Sequence, residues 1–398
     1  DRPSRSREKC RLESLVATVG TDFNLVIPLR TCRIRVSDPR EESLMGISPS
    51  EITLVLEPTD RLDVIDVSQR IREELGDVLA RYRRTLYCSH HTTAGYLDQS
   101  LCSRLGYSRD RLGSILHLFQ QIFPPNANYE HDKLHLRNEL SDEQRRTEPK
   151  NADSHLAFIS SGLKNCVTYN NGPDTAAHFI DLDGVHEHGV RQRRTTALAY
   201  NREDEVDSLE FSVPVSRHPI DSVNLRDPSI GFFERIDRMV RRHGIEKGRI
   251  DVSLDANETL SGLTVNEYET LLMRHDLAEV LEDPLRFMAR QGRSFVKDPR
   301  RVLSKTRDYA SYDLVRVLNE VLDATGISES RFEHLIARVM AGPARKFLRR
   351  KRSISLLVSD GGRGPSIVQG TYQSPVLVQW GPTADLARKL QVNLNSFA

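Results

Sequence analysis

The chain has 398 residues, with 57 Lys plus Arg against 56 Asp plus Glu and a formal charge of +1. That length allows two to three domains with a sizeable core in each, and a near-neutral charge argues against a uniformly basic surface, so nucleic acid is not an expected partner. At 38% apolar and 28% charged residues, the composition is that of an ordinary globular protein, neither disordered nor fibrous.

The stretch 1–19 is polar and reads as a tail; residues 1–9 are Arg-rich without an apolar centre and do not read as a secretory signal. The longest apolar runs, 52–56 and 354–358, fall far short of the roughly 20 residues that cross a bilayer, so no membrane helix is expected. Five cysteines, Cys10, Cys32, Cys88, Cys102 and Cys166, are scattered and never form a Cys-x-x-Cys pair. This is neither a disulfide framework nor a zinc knuckle. The reading is of buried apolar thiols in a reducing, cytoplasmic compartment.

Strand-like lengths of apolar or alternating residues occur at 32–36 and 52–56. Asp66 is placed to cap a helix in which Val67, Ile71, Leu75, Val78 and Leu79 recur at helical spacing. A strand at 85–89 runs into His90-His91-Thr92-Thr93, and a helix over 108–123 is stopped by Pro124-Pro125. The almost wholly polar span 137–151 reads as a loop. Two more strands are expected at 156–160 and 179–182, the second ending in Asp183-Gly184.

Beyond about Glu203 the order strand, helix, strand begins again. Residues 209–215 alternate, and Asp227-Pro228 opens a helix carrying Phe233, Ile236, Val240 and Ile245 on one side. A strand follows over 248–253. The span 271–339 is mostly helical in pattern, and strands return at 353–358, 366–370 and 376–380, with Gly361-Gly362 as a turn.

The segments CSHHTTAGYLDQS around His91, YEHD at 129–132, NADSHL at 151–156 and GTYQSPVLVQW at 370–380 resemble, in order, the signature of the YjbQ family. The resemblance implies an α+β fold, a mixed barrel-like sheet with packed helices, assembled as a trimer with pockets near subunit contacts. It also implies a secondary thiamine-phosphate synthase activity. Each half of the chain resembles the family template, so the expected architecture is two diverged tandem copies. These are 20–203 and 204–398, the second with a helical insertion at about 271–339. Setting His91 against Glu258 places Gln99-Ser100 opposite Asn266-Glu267. At the far end, Arg191 against Arg388 places Phe179 opposite Val376 and His155 opposite Arg352.

By family position, His91, His131 and His155 line one pocket as metal ligands, with zinc the expected divalent ion, although a lone histidine is more often a structural residue. Asp132 is expected to orient an imidazole or act as a ligand itself, and Thr92 and Thr93 to offer hydroxyls to an anion. The second copy has Glu258 and Arg352 in the places of two histidines. It keeps the family's Asn266-Glu267 and Gly370-Thr371-Tyr372-Gln373, which the first copy has lost. This complementarity predicts a composite site: His91, Asp132 and Glu267 as catalytic groups, with Asn266, Gln373 and Arg352 beside the two threonines for substrate binding.

Arg345, Lys346, Arg349, Arg350, Lys351 and Arg352 form the densest charge run, which reads either as a solvated helix end or as a phosphate site. His186 and His188 read as an exposed loop. The chain carries no Walker loop, dinucleotide fingerprint or Gly-x-Ser-x-Gly elbow. The first reading is an enzyme acting on a small phosphorylated or anionic molecule, as a trimer of two-domain chains. The alternative is a non-catalytic oligomeric ligand-binding or scaffold protein on the same fold.

Overall fold

The computed structural model describes residues 33–35, 47–125, 129, 131–136, 141–186, 189–216, 221–266, 351–361, 364–379 and 385–398. The first half runs β1 (Arg33–Arg35), β2 (Ser50–Leu56), β3 (Asp63–Asp66), α1 (Val67–Leu75), β4 (Arg84–Ser89), β5 (Ala94–Gly95), α2 (Gln99–Arg104), α3 (Arg109–Ile122), α4 (Asp142–Thr147), α5 (Ala152–Ser160), β6 (Cys166–Asn170), β7 (His178–Asp181), β8 (Val185–His186), β9 (Gly189–Val190) and β10 (Arg193–Tyr200). The second runs β11 (Glu203–Pro214), β12 (Asp221–Asn224), α6 (Phe232–His243), β13 (Lys247–Leu254), β14 (Ser261–Asn266), β15 (Ser353–Asp360), β16 (Pro365–Val368), β17 (Ser374–Gln379) and β18 (Ala387–Phe397). The expected helical span 271–339 and the basic residues before Lys351 lie outside the described residues.

Local physics explains most of these elements. In β2, Ile52, Leu54 and Leu56 are buried at alternate positions, the period of a strand with one face in the core. Asp66 caps α1 by accepting the Gln69 N–H at 2.9 Å. In α6, Phe232, Ile236, Met239 and Val240 form one buried stripe. The capping signal at Asp227-Pro228 instead starts a single 3-10 turn, Pro228–Ile230. Gly231, at φ 70°, then resets the chain before α6.

Two sequence expectations fail locally. The strand expected at 156–160 is the second half of α5, all nine of whose residues are buried. Its polar residues Asp153, Ser154, His155 and Ser160 are enclosed along with the apolar ones and mark no solvent face, so the apolar run at its end cannot be told from a buried strand by periodicity. The polar loop expected at 137–151 contains α4.

Among the described residues the strands form five antiparallel sheets. The first half has the orders β1-β2-β10-β4-β6 and β3-β7-β5; the second has β11-β18-β13-β15-β16 and β12-β17-β14, and β8-β9 is a separate hairpin. With β2, β10, β4 and β6 set against β11, β18, β13 and β15, the neighbours agree one for one. The three-stranded sheets agree likewise.

Backbone hydrogen bonds fix the register of this correspondence. Val67 N–H donates to Ala177 O as Leu225 N–H does to Pro375 O, and Tyr96 N–H to Lys164 O as Leu263 N–H does to Lys351 O. Ser89 N–H to Asn165 O matches Leu254 N–H to Arg352 O. Asp181 pairs with Asp63 and Ala94 just as Gln379 pairs with Asp221 and Ser261. The sequence alignment therefore shifts: Phe179 corresponds to Leu377 rather than Val376, and Arg352 corresponds to Asn165 rather than His155.

All described elements belong to one compact unit, Cys32–Ala398. Each half has its own core, centred on residues such as Tyr96, Phe158 and Phe179 in the first and Phe232, Ile250 and Val392 in the second. A third cluster joins the outer face of the first large sheet (Leu86, Leu198, Tyr200) to Leu357 and Phe397 of the second. Tyr200 and Phe397 stack there at 3.8 Å.

The same face holds a Cys88–Cys166 disulfide, contrary to the expectation of free thiols. These residues are directly opposed on β4 and β6, with Cα atoms 4.3 Å apart, a proximity that a separation of 78 residues gives no sign of. Among the described residues, Cys102 is a free, buried thiol as expected.

Candidate functional site

The loop between β4 and β5 is wound tightly. Ser89 Oγ donates to Ala94 O at 2.6 Å and accepts the His91 N–H at 3.2 Å. This places the His91 ring against β10, where its Nε2 accepts the Arg194 N–H at 2.7 Å. A neutral imidazole with that acceptor in use carries its proton on Nδ1. Burial, followed by the charges of Arg193, His90, Arg191 and Arg194, pushes His91 down to about 3. His91 is thus a neutral Nδ1–H donor in a field of three guanidinium groups. Its neighbour His90, held to Thr196 Oγ1 at 2.9 Å, is pushed down to about 4 by burial and by Arg194.

Two of these arginines are neutralised by carboxylates. Arg193, 3% exposed, makes a bidentate pair with Asp181, 0% exposed, through Nε at 2.6 Å and Nη2 at 2.7 Å. Its Nη2 also reaches Asp183 O and Thr93 Oγ1. Arg191 pairs with Asp183 at 2.9 Å, and Asn151 Nδ2 donates to the same carboxylate. Arg194 is exposed and has no carboxylate partner among the described residues.

A second polar cluster surrounds the start of α5. Asp132 Oδ1 accepts the Ala152 N–H at 3.0 Å, while its buried Oδ2 has no partner among the described residues. The ring centroids of His131 and His155 lie 5.2 Å apart with their planes tilted by 58°, and Asp132 Oδ1 lies 3.4 Å from His131 Nδ1. Asn266, from the second half, contacts His155 Nδ1 at 2.7 Å. Asp153 is held by Arg61 at 2.7 Å. Burial raises its carboxyl to about 6 against the pull of Arg61, with Asp132 and Asp183 adding repulsion.

The structure thus joins some of the expected residues and separates others. His131, Asp132, His155 and Asn266 come together across the two halves. Glu267 lies outside the described residues. Thr92 is buried, and Thr93 serves Arg193.

Gln373 is not an open ligand donor. Its Nε2 donates to Ser89 O and His91 O at 2.9 and 2.8 Å, and its Oε1 accepts the Gly370 N–H. The GTYQ loop is therefore a brace on the His91 segment, and Gly370 fits there because a Cβ would strike His90 O. Arg352 donates to the carbonyls of Glu258 and Asp255, so it too is spent on the fold of its own half.

Among the described residues, no three His, Cys, Asp or Glu side chains stand close enough to hold a metal ion. His91 does not fit a zinc centre, because its Nε2 lone pair is engaged and its Nδ1 is protonated. Sequence reasoning missed Arg193, Arg194, Asp153, Asp181 and Asp183. The local trace of the arginines and of Asp181 and Asp183 was the charge in DLDG and RQRR on either side of the β8–β9 hairpin, while Asp153 lay within the NADSHL segment.

No family model matches the chain, and no curated protein matches it. Solved structures of the yjbq/upf0047 family are similar to about half of it. A YbjQ-like protein of unknown function from Sulfolobus solfataricus P2 is 17% identical, covering 49% of this chain and 99% of its own, at a TM-score of 0.26. An uncharacterized conserved protein of the yjbq/upf0047 family from Clostridium acetobutylicum is 15% identical, covering 47% and 98%, at a TM-score of 0.22. A hypothetical protein from Aeropyrum pernix K1 is also 15% identical, covering 48% and 98%, with a TM-score of 0.22. No helix of the described residues is long and apolar enough to cross a membrane.

Proposed function

We propose that the protein is a YjbQ-like enzyme that binds a small phosphorylated or otherwise anionic molecule at the His91–Arg194 locus. The observation that supports this is the neutral Nδ1–H donor of His91 set among Arg191, Arg193 and Arg194, the last of these exposed and unneutralised among the described residues. A phosphate oxygen accepts from the imidazole while the planar guanidinium takes a second oxygen. Because His91 is already neutral well below pH 7, anion binding through it does not weaken across the neutral range as it would for an imidazolium.

In this reading Asp132 Oδ2 is the candidate proton acceptor, with Glu267 as a second carboxylate. Asn266 holds His155, and Gln373 fixes the His91 loop. Tandem duplication accounts for the repeated strand order, and the two copies divide one site between them. The activity class that the family resemblance suggests is a thiamine-phosphate-like transfer, and the resemblance also suggests trimeric assembly.

The test is calorimetric titration of inorganic pyrophosphate and thiamine monophosphate into wild type, Arg194→Ala and His91→Ala, with thiamine phosphate formation assayed beside it. Each substitution should weaken binding tenfold or more, as expected for loss of a charge-assisted hydrogen bond of about 1.5–3 kcal/mol. Wild-type affinity in both variants would refute the locus. Tight binding without turnover of any phosphorylated substrate would favour the non-catalytic module.

A further inference from the structure

The shared register sets the His91 locus beside its counterpart in the second half. Arg194 N–H donates to His91 Nε2, and Lys389 N–H donates to Glu258 Oε1 at 3.0 Å. Glu258 therefore stands where His91 stands, Lys389 corresponds to Arg194, and Arg388 to Arg193 rather than to Arg191. The pairings of β10 and β18 agree: Arg193 lies opposite Leu56 on β2 and Arg388 opposite Val213 on β11, both core residues.

The partners of the two buried arginines differ in a compensating way. In the first half the carboxylate comes from β7, where Asp181 grips Arg193. At the matching position of β17 the second half has the neutral Gln379, whose Oε1 is 3.4 Å from Arg388 Nη2. Arg388, with a side chain 5% exposed, takes its carboxylate from Glu258 instead, at 2.8 Å. A guanidinium this buried needs an anion beside it, and each half provides one from a different element.

We infer that the carboxylate serving this arginine has moved, in the second half, from the β7-type position to the His91-type position, and that Glu258 thereby closes that half's locus to anions. One carboxylate oxygen sits on the Lys389 N–H and the other on Arg388, so negative charge already fills the space that a phosphate would enter. The first half keeps its carboxylate behind the arginine and leaves a neutral imidazole in front. The protein then has one anion locus per chain; this part rests on the function proposed above, whereas the carboxylate exchange does not.

Two measurements separate these parts. In thermal melts, Glu258→Gln should lower the midpoint by several degrees, and Gln379→Asp added to it should recover most of the loss by returning a carboxylate to the β7-type position. A double variant no better than the single would overturn the exchange.

In calorimetry with inorganic pyrophosphate, wild type should bind one equivalent, and Glu258→His with Gln379→Asp should bind two. Adding Arg194→Ala to that double variant should return it to one. A folded double variant that still binds one equivalent would overturn the closure. A wild type that binds none would refute the proposed function while the melts still decide the exchange.

Discussion

Replacing Lys351 with Met gives the sharpest electrostatic prediction. The side chain is 5% exposed and lies between the halves. Its Nζ donates to Phe158 O at 3.1 Å and approaches Thr264 Oγ1 at 3.4 Å, with the Phe158 ring centroid 4.8 Å away. Phe158 O belongs to the last turn of α5, where carbonyls lack helical partners and the dipole favours a cation. No carboxylate pairs with Lys351 among the described residues, and burial, aided by the charge of Lys164 against the weaker pull of Asp98, brings the amine down to about 7. The unfolded chain holds this proton up to the ordinary lysine value near 10.5, so the native state is penalised most at and below pH 7 and least above 10.5. At about 1.4 kcal/mol per pH unit, wild type should gain about 3 kcal/mol relative to Lys351→Met between pH 7 and 9.5. Urea unfolding of both proteins across that range reads the difference directly. Parallel stability profiles would show that Lys351 keeps an ordinary pKa in the fold, and the reasoning from its burial would be wrong.

Asp153 works in the opposite direction: its folded value of about 6 lies above the unfolded 3.8, so its stabilising contribution is complete below 3.8 and lost as pH rises through 6. Wild type should lose about 2 kcal/mol relative to Asp153→Asn between pH 4 and 7 in the same assay, given a side chain only 3% exposed. The Cys88–Cys166 bond spans 78 residues, so its reduction, or Cys88→Ser with Cys166→Ser, should cost about 4 kcal/mol; an unchanged melting midpoint in reductant would contradict this. Mass analysis after alkylation of protein taken directly from cells should find the two thiols joined, which would also weigh against a reducing compartment. Gly370→Ala places a Cβ on His90 O and should destabilise by about 1–3 kcal/mol while loosening the His91 loop, seen as faster amide exchange over 89–94.

The amino-acid sequence by itself determined the elements that bury one face in water-facing layers: the alternation in β2, the Asp66 cap and the apolar stripe of α6 are local, and each was legible. It also marked the HTT and GTYQ segments and the recurrence of strand, helix and strand. α5 escaped because it is enclosed on every side, so its polar residues serve internal partners and do not mark a solvent face that would reveal its period. What only the tertiary structure decided is which polar groups are already engaged. Gln373 looked like a free amide and is committed to three backbone atoms of two loops. Arg352 looked like a phosphate ligand and holds carbonyls in its own half. His91 looked like a metal ligand, and a backbone N–H 103 residues away makes it a proton donor. Residue type gives the inventory of donors and acceptors, but their pairing depends on strand register and on contacts between distant segments, which exist only once the chain has closed on itself.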